Sequence, residues 1–573
     1  SQKRARLTKK IIWKEKEVTV DLILNPEEKD KRKHVSVPKE VNTRLQDFQR
    51  KGAKFLYKIA TTTGGILGDD MGCGKTVQVL ALLYAFKASK PTEVINLTGD
   101  NLWYDNTTLV VVPNIFILQS WQDQIISFNS LFSDEQDHLK LTYGVYHGKD
   151  TFTAYEDVKK GYDDILLTTA ATLTGSDHKD KLNVDWRMIV FDEVHMFKKD
   201  SGKRYKILKA FKCKSRIGLT GTVFQNSPSE LWATISLVVN DYMDKGSFEK
   251  QFAGPIRQAL SNEASYIDVD LGETAGKELQ EQLKHLIVRR HRSVWNKPGL
   301  PPALPPITNY KIVLPLLKEQ KIKMNKILHP GAHTIVEAGT ANKIAVHPLL
   351  PDVYQKKIRL RDIDYRRVSK DSLKLQFLEK AIRWFSKQES YTKVLLFCKY
   401  VKTLQFVEKF LRANKIAKHV RKIIGDQSEN KRSEHITWFK KLKDNGILLI
   451  SRDTLSEGVG IVEASIVVFL EPFFNPSKHA QASARVHRFG QKCHVHTFML
   501  VSGAIEEKIE QTQLKKKITR ARMLDNAHVK AVDDKIVTYK KPKLSSTDAS
   551  VKPVLISDMR KEIATNNAHH NIH

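Results

Sequence analysis

The sequence predicts an α/β protein of two tandem lobes, each a parallel sheet flanked by helices, with a linker between them and short basic termini. Two observations carry this: short β-branched runs alternate with longer amphipathic stretches, and a proline cluster divides the series in two. The runs before the cluster are Gly65-Ile66-Leu67, Thr108 to Pro113, Asp164 to Thr168, Met188 to Asp192 and Arg216 to Thr220. They are largely apolar rather than alternating, the pattern of strands buried on both faces. Five of the chain's 19 prolines fall within residues 298–306, which excludes a helix interior and marks a linker. Beyond it, Lys393 to Phe397, Gly446 to Ser451 and Ser465 to Leu470 resume the strand pattern. The expected organisation is a basic, solvated arm over 1–40, a first lobe over 41–297, a linker and insertion over 298–370, a second lobe over 371–525 and a basic flexible tail over 526–573.

Composition narrows the partners. The 573 residues include 95 Lys+Arg and 64 Asp+Glu, a formal net charge of +31 that attracts phosphate polymers or anionic membranes. A hydrophobic share of 41% excludes wholesale disorder. No run approaches the roughly 18 apolar residues that span a bilayer, and no apolar stretch follows the N-terminal basic residues, so a soluble intracellular protein without membrane contact is expected. Cys73, Cys213, Cys398 and Cys493 form no C-x-x-C pair, which argues against a disulfide framework or a cysteine zinc site. Cys493, His494 and His496 lie close together, but the alternation from His494 to Phe498 reads as a strand.

Three constellations carry chemistry. The first, Gly68 to Thr76 (Gly-Asp-Asp-Met-Gly-Cys-Gly-Lys-Thr), follows an apolar strand and precedes a helical run. Its glycines let backbone N–H groups face phosphate oxygens, with Lys75 reaching the β/γ-phosphates and Thr76 ligating Mg²⁺. Asp69 stands where the usual pattern has its first glycine, so a chance glycine-rich turn is the competing reading. The second is Asp192-Glu193-Val194-His195 at the end of an apolar strand. Buried carboxylates are costly unless paired or metal-bound, so Asp192 is expected to hold Mg²⁺ and Glu193 to activate water; the alternative is a strand-terminal acidic turn. The third is Gln481 to Gln491, where Arg485 and Arg488 are spaced to share a helix face and reach a γ-phosphate; alone, it is equally a solvated face.

With these residues in order, the chain resembles the SWI/SNF-like branch of the superfamily-two helicase-related ATPases, which are double-stranded DNA translocases built on two RecA-like lobes. The likeness runs from Leu45 to Gln511. It implies that Gln49 reads adenine; that Asp69, Asp70, Met71, Gly72, Cys73, Gly74, Lys75 and Thr76 are a family variant of the phosphate loop; and that Asp192 to His195 is a DExH box. Thr169, Gln225, Asn226, Lys399 and Ser456 match DNA-contacting motifs, and Gly460 and Gln481 match the second lobe's ATP-binding motifs. The Gln225-Asn226 extension and Gln491 separate this branch from RNA helicases, while Val223, Val462, Cys73 and Asp70 depart from its usual residues without removing a catalytic group.

The resemblance implies ATP with Mg²⁺ bound between the lobes, Arg485 and Arg488 acting from the second, and sequence-independent grip on the duplex DNA backbone. A strand-separating DNA or RNA helicase and a DNA-binding scaffold without turnover are the alternatives. Nucleosomes, repair, transcription machinery and a viral role all remain open as biological settings. Lys3-Arg4-Ala5-Arg6 and Lys540-Lys541-Pro542-Lys543 suit nuclear import or a solvated tail. Cys73 beside Lys75 is either a reactive thiol or a packing substitute for leucine.

Overall fold

The computed structural model describes residues 20–89, 107–148, 151–160, 162–174, 186–223, 228–259, 265–290, 305–328, 335–387, 393–452, 454, 460–488 and 490–524. These form two compact units. One takes the described residues of 20–223, 228–251 and 281–290, and the other those of 252–280 and 305–524.

In the first unit, β1 (Leu22–Ile23) and β2 (Ser36–Val37) make a small antiparallel pair. The main sheet comprises β3 (Gly65–Leu67), β4 (Thr108–Val112), β5 (Tyr143–Tyr146), β6 (Ile165–Thr169), β7 (Trp186–Asp192), β8 (Cys213–Leu219) and β9 (Ile287–Val288). All its pairings are parallel, in the order β5-β6-β4-β7-β8-β3-β9. Every residue of β3, β4 and β6 is buried, which explains their lack of polar alternation. The short strands β5 and β9 escape the sequence reading: Tyr143–Tyr146 has glycine at its second position, and β9 is only two residues long.

Residues 20–40 correct the solvated-arm expectation. Leu24, Val37 and Val41 are buried in the same core as Leu67, Val110 and Val190. Leu22 and Val35 pack against it as well, so a few apolar side chains dock a segment that is otherwise mostly polar. Residues 1–19 lie outside the described residues.

The second unit holds β10 (Ile307–Val313), β11 (Lys393–Cys398), β12 (His419–Ile423), β13 (Gly446–Ser451), β14 (Ile466–Phe469) and β15 (Val495–Val501). They form a parallel sheet in the order β10-β15-β14-β11-β13-β12. Two apolar cores cover its faces, one containing Leu396, Phe410 and Phe498, the other Phe397, Phe439 and Val467. The linker reading of 298–370 also needs correction. β10 is a sheet edge strand registered residue for residue on β15, and Met324, Ala341 and Ile344 pack with Ile505. An edge strand has one face half exposed, so its mixed pattern, Ile-Thr-Asn-Tyr-Lys-Ile-Val, gives no continuous apolar run.

Lys374, at the start of helix Leu373–Phe385, is buried with all three ammonium donors used. They reach Leu470 O at 2.7 Å and the Glu506 carboxylate at 2.9 and 2.7 Å. Glu506 also accepts from Ser502 N at 2.7 Å. The pair ties the unit's last helix, Gly503–Leu524, to the carboxyl end of β14. Removing one partner leaves the other charge buried and alone, so Lys374→Ala is expected to cost about 3–5 kcal/mol. The apolar double variant Lys374→Met with Glu506→Leu is expected to recover most of that loss, read as denaturant midpoints of the whole chain.

Candidate active site

β7, β8 and β3 are neighbours in the first sheet, so the loops leaving their carboxyl ends converge. These carry, respectively, Asp192-Glu193, Thr220-Gly221-Thr222 and the loop from Gly68 to Gly74. Gly74 sits at φ +68°, the left-handed conformation that favours glycine, and caps helix Lys75–Ala88. A Cβ there would stand 2.5 Å from the Gln49 amide nitrogen. Lys75 and Thr76 open that helix, whose N-terminal amides favour an anion.

The loop is clamped from outside its own sequence. Asp69 is fully buried, and Arg290 holds its carboxylate with two prongs, Nε to Oδ1 at 2.8 Å and Nη2 to Oδ2 at 2.5 Å. The Arg290 backbone N–H donates to the same Oδ1 at 3.1 Å, and Gln78 Nε2 donates to Oδ2 at 3.2 Å. Arg290 also donates to Gln78 Oε1 at 2.8 Å and to the Phe48 carbonyl. Gly52 makes room for this: a Cβ there would fall 1.6 Å from Gln78 Oε1 and 2.6 Å from Arg290 Nη2. The β3–β9 pairing continues outward through Gly68 N to Val288 O at 2.7 Å and Asp70 N to Arg290 O at 3.1 Å. Asp69, expected with the nucleotide ligands, is thus engaged by protein donors. Lys75 Nζ donates to the Asp69 carbonyl at 2.9 Å.

Gln49 Oε1 accepts from Gln46 N at 2.9 Å, and its Nε2 donates to Cys73 O at 3.2 Å, so the expected adenine reader also braces the loop. Cys73 is 1% exposed, the environment of a packing residue rather than an accessible nucleophile.

Asp192 is buried, its Oδ2 accepting from the Trp121 indole at 2.8 Å and its Oδ1 from Glu193 N at 2.9 Å. Burial, then the Glu193 charge, pushes its carboxyl up to about 6, while Trp121 and the Lys75 charge pull it back. Glu193 adopts φ +48° and directs Oε2 to His195 Nδ1 at 3.2 Å. His195 Nδ1 also meets Thr220 Oγ1 at 2.8 Å, and Thr220 Oγ1 accepts from Thr222 N at 3.0 Å. Val194 packs fully buried beside them. Among the described residues no group of three or more His, Cys, Asp or Glu side chains forms a metal cluster. The oxygens of Thr76 and Asp192 nonetheless suit Mg²⁺, which takes a few hard protein oxygens and leaves its other positions to phosphate and water.

In the second unit, helix Pro476–Val486 contains Gln481 and Arg485 but ends before Arg488. The expectation that both arginines share a helix face is corrected: Arg488 lies in the following turn against Gly460, where a Cβ would fall 2.7 Å from its Nη1. Gln491 shapes that turn, donating to Ala464 O at 2.8 Å and Val486 O at 3.1 Å and accepting from Lys492 and Cys493 N at 2.9 Å. Gln481 is 5% exposed. Thr169, expected on DNA, is buried and caps helix Ala170–Leu173 through Thr172 N at 3.2 Å. Lys399 is half-buried at the end of β11. Gln225, Asn226 and Ser456 lie outside the described residues.

The fold and these strand-end loops define a helicase-related core of tandem RecA-like lobes with a phosphate-loop site in the first. A model of the SNF2-related domain matches residues 48–363, and one of the helicase conserved C-terminal domain matches 373–490. The chain belongs to the SNF2-related family, an ATPase-type family of enzymes.

Among curated relatives, DNA excision repair protein ERCC-6-like 2 of Mus musculus is 26% identical over 82% of this chain and 34% of its own length. Switch 2 of Arabidopsis thaliana is 26% identical over 87% and 65%, and DNA repair and recombination protein RAD54B of Homo sapiens 26% over 82% and 54%. The chain thus spans between 34% and 65% of these relatives. The solved Sulfolobus solfataricus SWI2/SNF2 ATPase core in complex with dsDNA aligns with 84% of this chain and 97% of its own at 22% identity and a TM-score of 0.37, a superposition that carries no functional weight.

Sequence reasoning assigned no role to Arg290, Gln78, Trp121 or Thr220. Arg290 lies 221 positions from Asp69, so no local spacing could pair them; the buried acid in a glycine's place was the available signal. Arg290→Met is expected to weaken ATP binding about tenfold, measured by nucleotide titration, and Arg290→Lys to restore little because an ammonium lacks the two-pronged fork. The kcat/KM for ATP is expected to fall as pH drops through about 6 and Asp192 takes up a proton. Trp121→Phe removes a hydrogen bond to the ionised form and is expected to move that limb up by about one pH unit.

Proposed function

We propose that the chain is a DNA-dependent ATPase that translocates on double-stranded DNA and remodels or displaces DNA-bound protein. The observation that carries this is that Lys75 and Thr76 follow β3 while Asp192 and Glu193 end β7, the two strands that flank β8 in one parallel sheet, in a chain of the SNF2-related family. Lys75 neutralises the β/γ-phosphates, and the backbone N–H groups around Gly74 cradle them. Thr76 and Asp192 hold Mg²⁺, which supplies charge neutralisation at the phosphates. Glu193 orients the attacking water and accepts its proton, with His195 and Thr220 holding its carboxylate. Arg485 and Arg488 are assigned to transition-state charge on the γ-phosphate.

The net charge of +31 supports a phosphate-polymer partner, and backbone contacts make recognition largely independent of sequence. Relatives named for DNA repair and recombination support action on DNA; a nuclear setting, with nucleosomes or transcription machinery among the displaced partners, is part of the same proposal. Among the described residues no helix is long and apolar enough to cross a membrane.

Hydrolysis measured alone and with duplex DNA, single strands, RNA and nucleosomes tests the reading. Duplex DNA is expected to stimulate most per nucleotide, and Lys75→Ala to lower turnover at least about 100-fold. Stimulation by single-stranded RNA alone would replace this reading with an RNA helicase, and absence of turnover under every condition with a scaffold.

A further inference from the structure

Glu193 keeps a left-handed backbone, φ +48°, which a residue with a Cβ holds only where its surroundings over-determine it. Its carboxylate is tied by His195 and Thr220. The chain that follows is held as well. Met196 N donates to Glu193 O at 2.8 Å, within the tight turn Val194–Phe197. Phe197 is buried at the end of that turn, its ring 6.2 Å from that of Phe191 and edge to face.

One residue beyond the turn, Lys198 Nζ pairs with Glu230 Oε2 at 2.9 Å. The two side chains are only 16% and 18% exposed, so solvent screens their attraction incompletely. Two positions on, Asp200 Oδ2 meets Lys245 Nζ at 2.7 Å, but that pair is far more open to water and worth little. Glu230 stands in the first turn of helix Ser229–Val238, where a carboxylate also complements the helix dipole. The helix is a firm mount: Leu231, Thr234, Ile235, Leu237 and Val238 are buried, and the Trp232 indole donates to Met243 O at 2.7 Å. The turn that begins at Glu193 is therefore fixed at both ends, by β7 before it and by the Lys198–Glu230 pair after it.

We propose that Lys198 and Glu230 are positioning residues for hydrolysis. Their ion pair fixes the far end of the turn and so keeps the Glu193 backbone in the left-handed conformation from which its carboxylate addresses water. Without the pair the turn relaxes toward negative φ, and the carboxylate swings away from Thr220 and His195. The inference rests on the reading that Glu193 activates the attacking water. The phosphate loop is braced separately, by Arg290 and Gln49, so nucleotide affinity does not depend on the pair.

The test is steady-state hydrolysis by the whole chain with saturating duplex DNA. Lys198→Met and Glu230→Gln are each expected to lower kcat about tenfold, with the KM for ATP within about twofold of wild type. The acid limb near pH 6 that belongs to Asp192 stays in place. The double variant is expected to be no slower than either single one, because the two side chains act as a unit, and Lys198→Arg to retain turnover. Lys245→Met, which breaks only the more exposed pair, leaves kcat within about twofold. Glu230→Gln keeps the side chain's shape and one acceptor oxygen, so it carries the test if Lys198→Met melts early. Unchanged turnover in both single variants overturns the inference, as do additive losses in the double variant or a kcat and KM that move together. Wild-type chain without turnover instead overturns the functional reading itself, and this inference with it.

Discussion

The buried ion pair between Asp69 and Arg290 is the constraint on which the first lobe's site depends. A fully buried carboxylate in the turn after β3 survives because four donors converge on it, three from Arg290 and one from Gln78. The same arginine reaches the Phe48 carbonyl, and Gln49 reaches the Cys73 carbonyl, so segments around 48, 69, 78 and 290 become one rigid unit. Shape at the phosphate loop therefore comes from the lobe's closing strand, β9, as much as from the loop's glycines. An acid in place of the first glycine is the anchor of that arrangement, which turns an apparent defect in the motif into its support.

What was legible follows from how locally each feature is encoded. The strands β3, β4, β7, β11, β13 and β14 are largely apolar runs because both faces are covered, and β15 was visible in the alternation from His494. The phosphate loop and the Asp192-Glu193 pair are contiguous, and their strand order follows from the parallel α/β fold. Edge position hid β10, and brevity hid β9. Apolar residues scattered through a highly charged segment hid the docking of 20–40. The Arg290 clamp was beyond reach for a different reason: it joins residues 221 positions apart, and no periodicity carries that information. The helix-face argument for Arg485 and Arg488 assumed a helix that runs on through Arg488, whereas the one that forms ends at Val486.

Net charge, the bluntest quantity in the sequence, resolves into two uses in the second lobe. Lys374 is buried and fully satisfied by Glu506 and Leu470 O, a structural cation that says nothing about partners. Lys343, Lys399 and Lys402 sit within one side chain's reach of that core but face aromatic rings instead of carboxylates. Glu471 stands between the two regimes. Its carboxyl is pushed by burial to about 7, with the Lys374 charge pulling it back, so near neutral pH it contributes only part of a counter-charge to the lysines beside it.

The pair Asp192-Glu193 shows how adjacent residues receive separate tasks. Continued as a strand, β7 would send the two carboxylates to opposite faces of the sheet. Glu193 instead turns into the left-handed region at φ +48°, a conformation costing roughly 1–2 kcal/mol for a residue with a Cβ. The turn leaves Asp192 facing Trp121 from the helix after β4 while Glu193 faces His195 and Thr220 at the end of β8. One carboxylate is immobilised by a neutral indole that preserves its charge for a metal. The other is tied to a hydroxyl and imidazole chain that runs through Thr220 to Thr222, so the residue placed to activate water is mechanically joined to the strand end from which the chain leaves toward the Gln225-Asn226 segment. The strain at Glu193 is what keeps those two connections distinct.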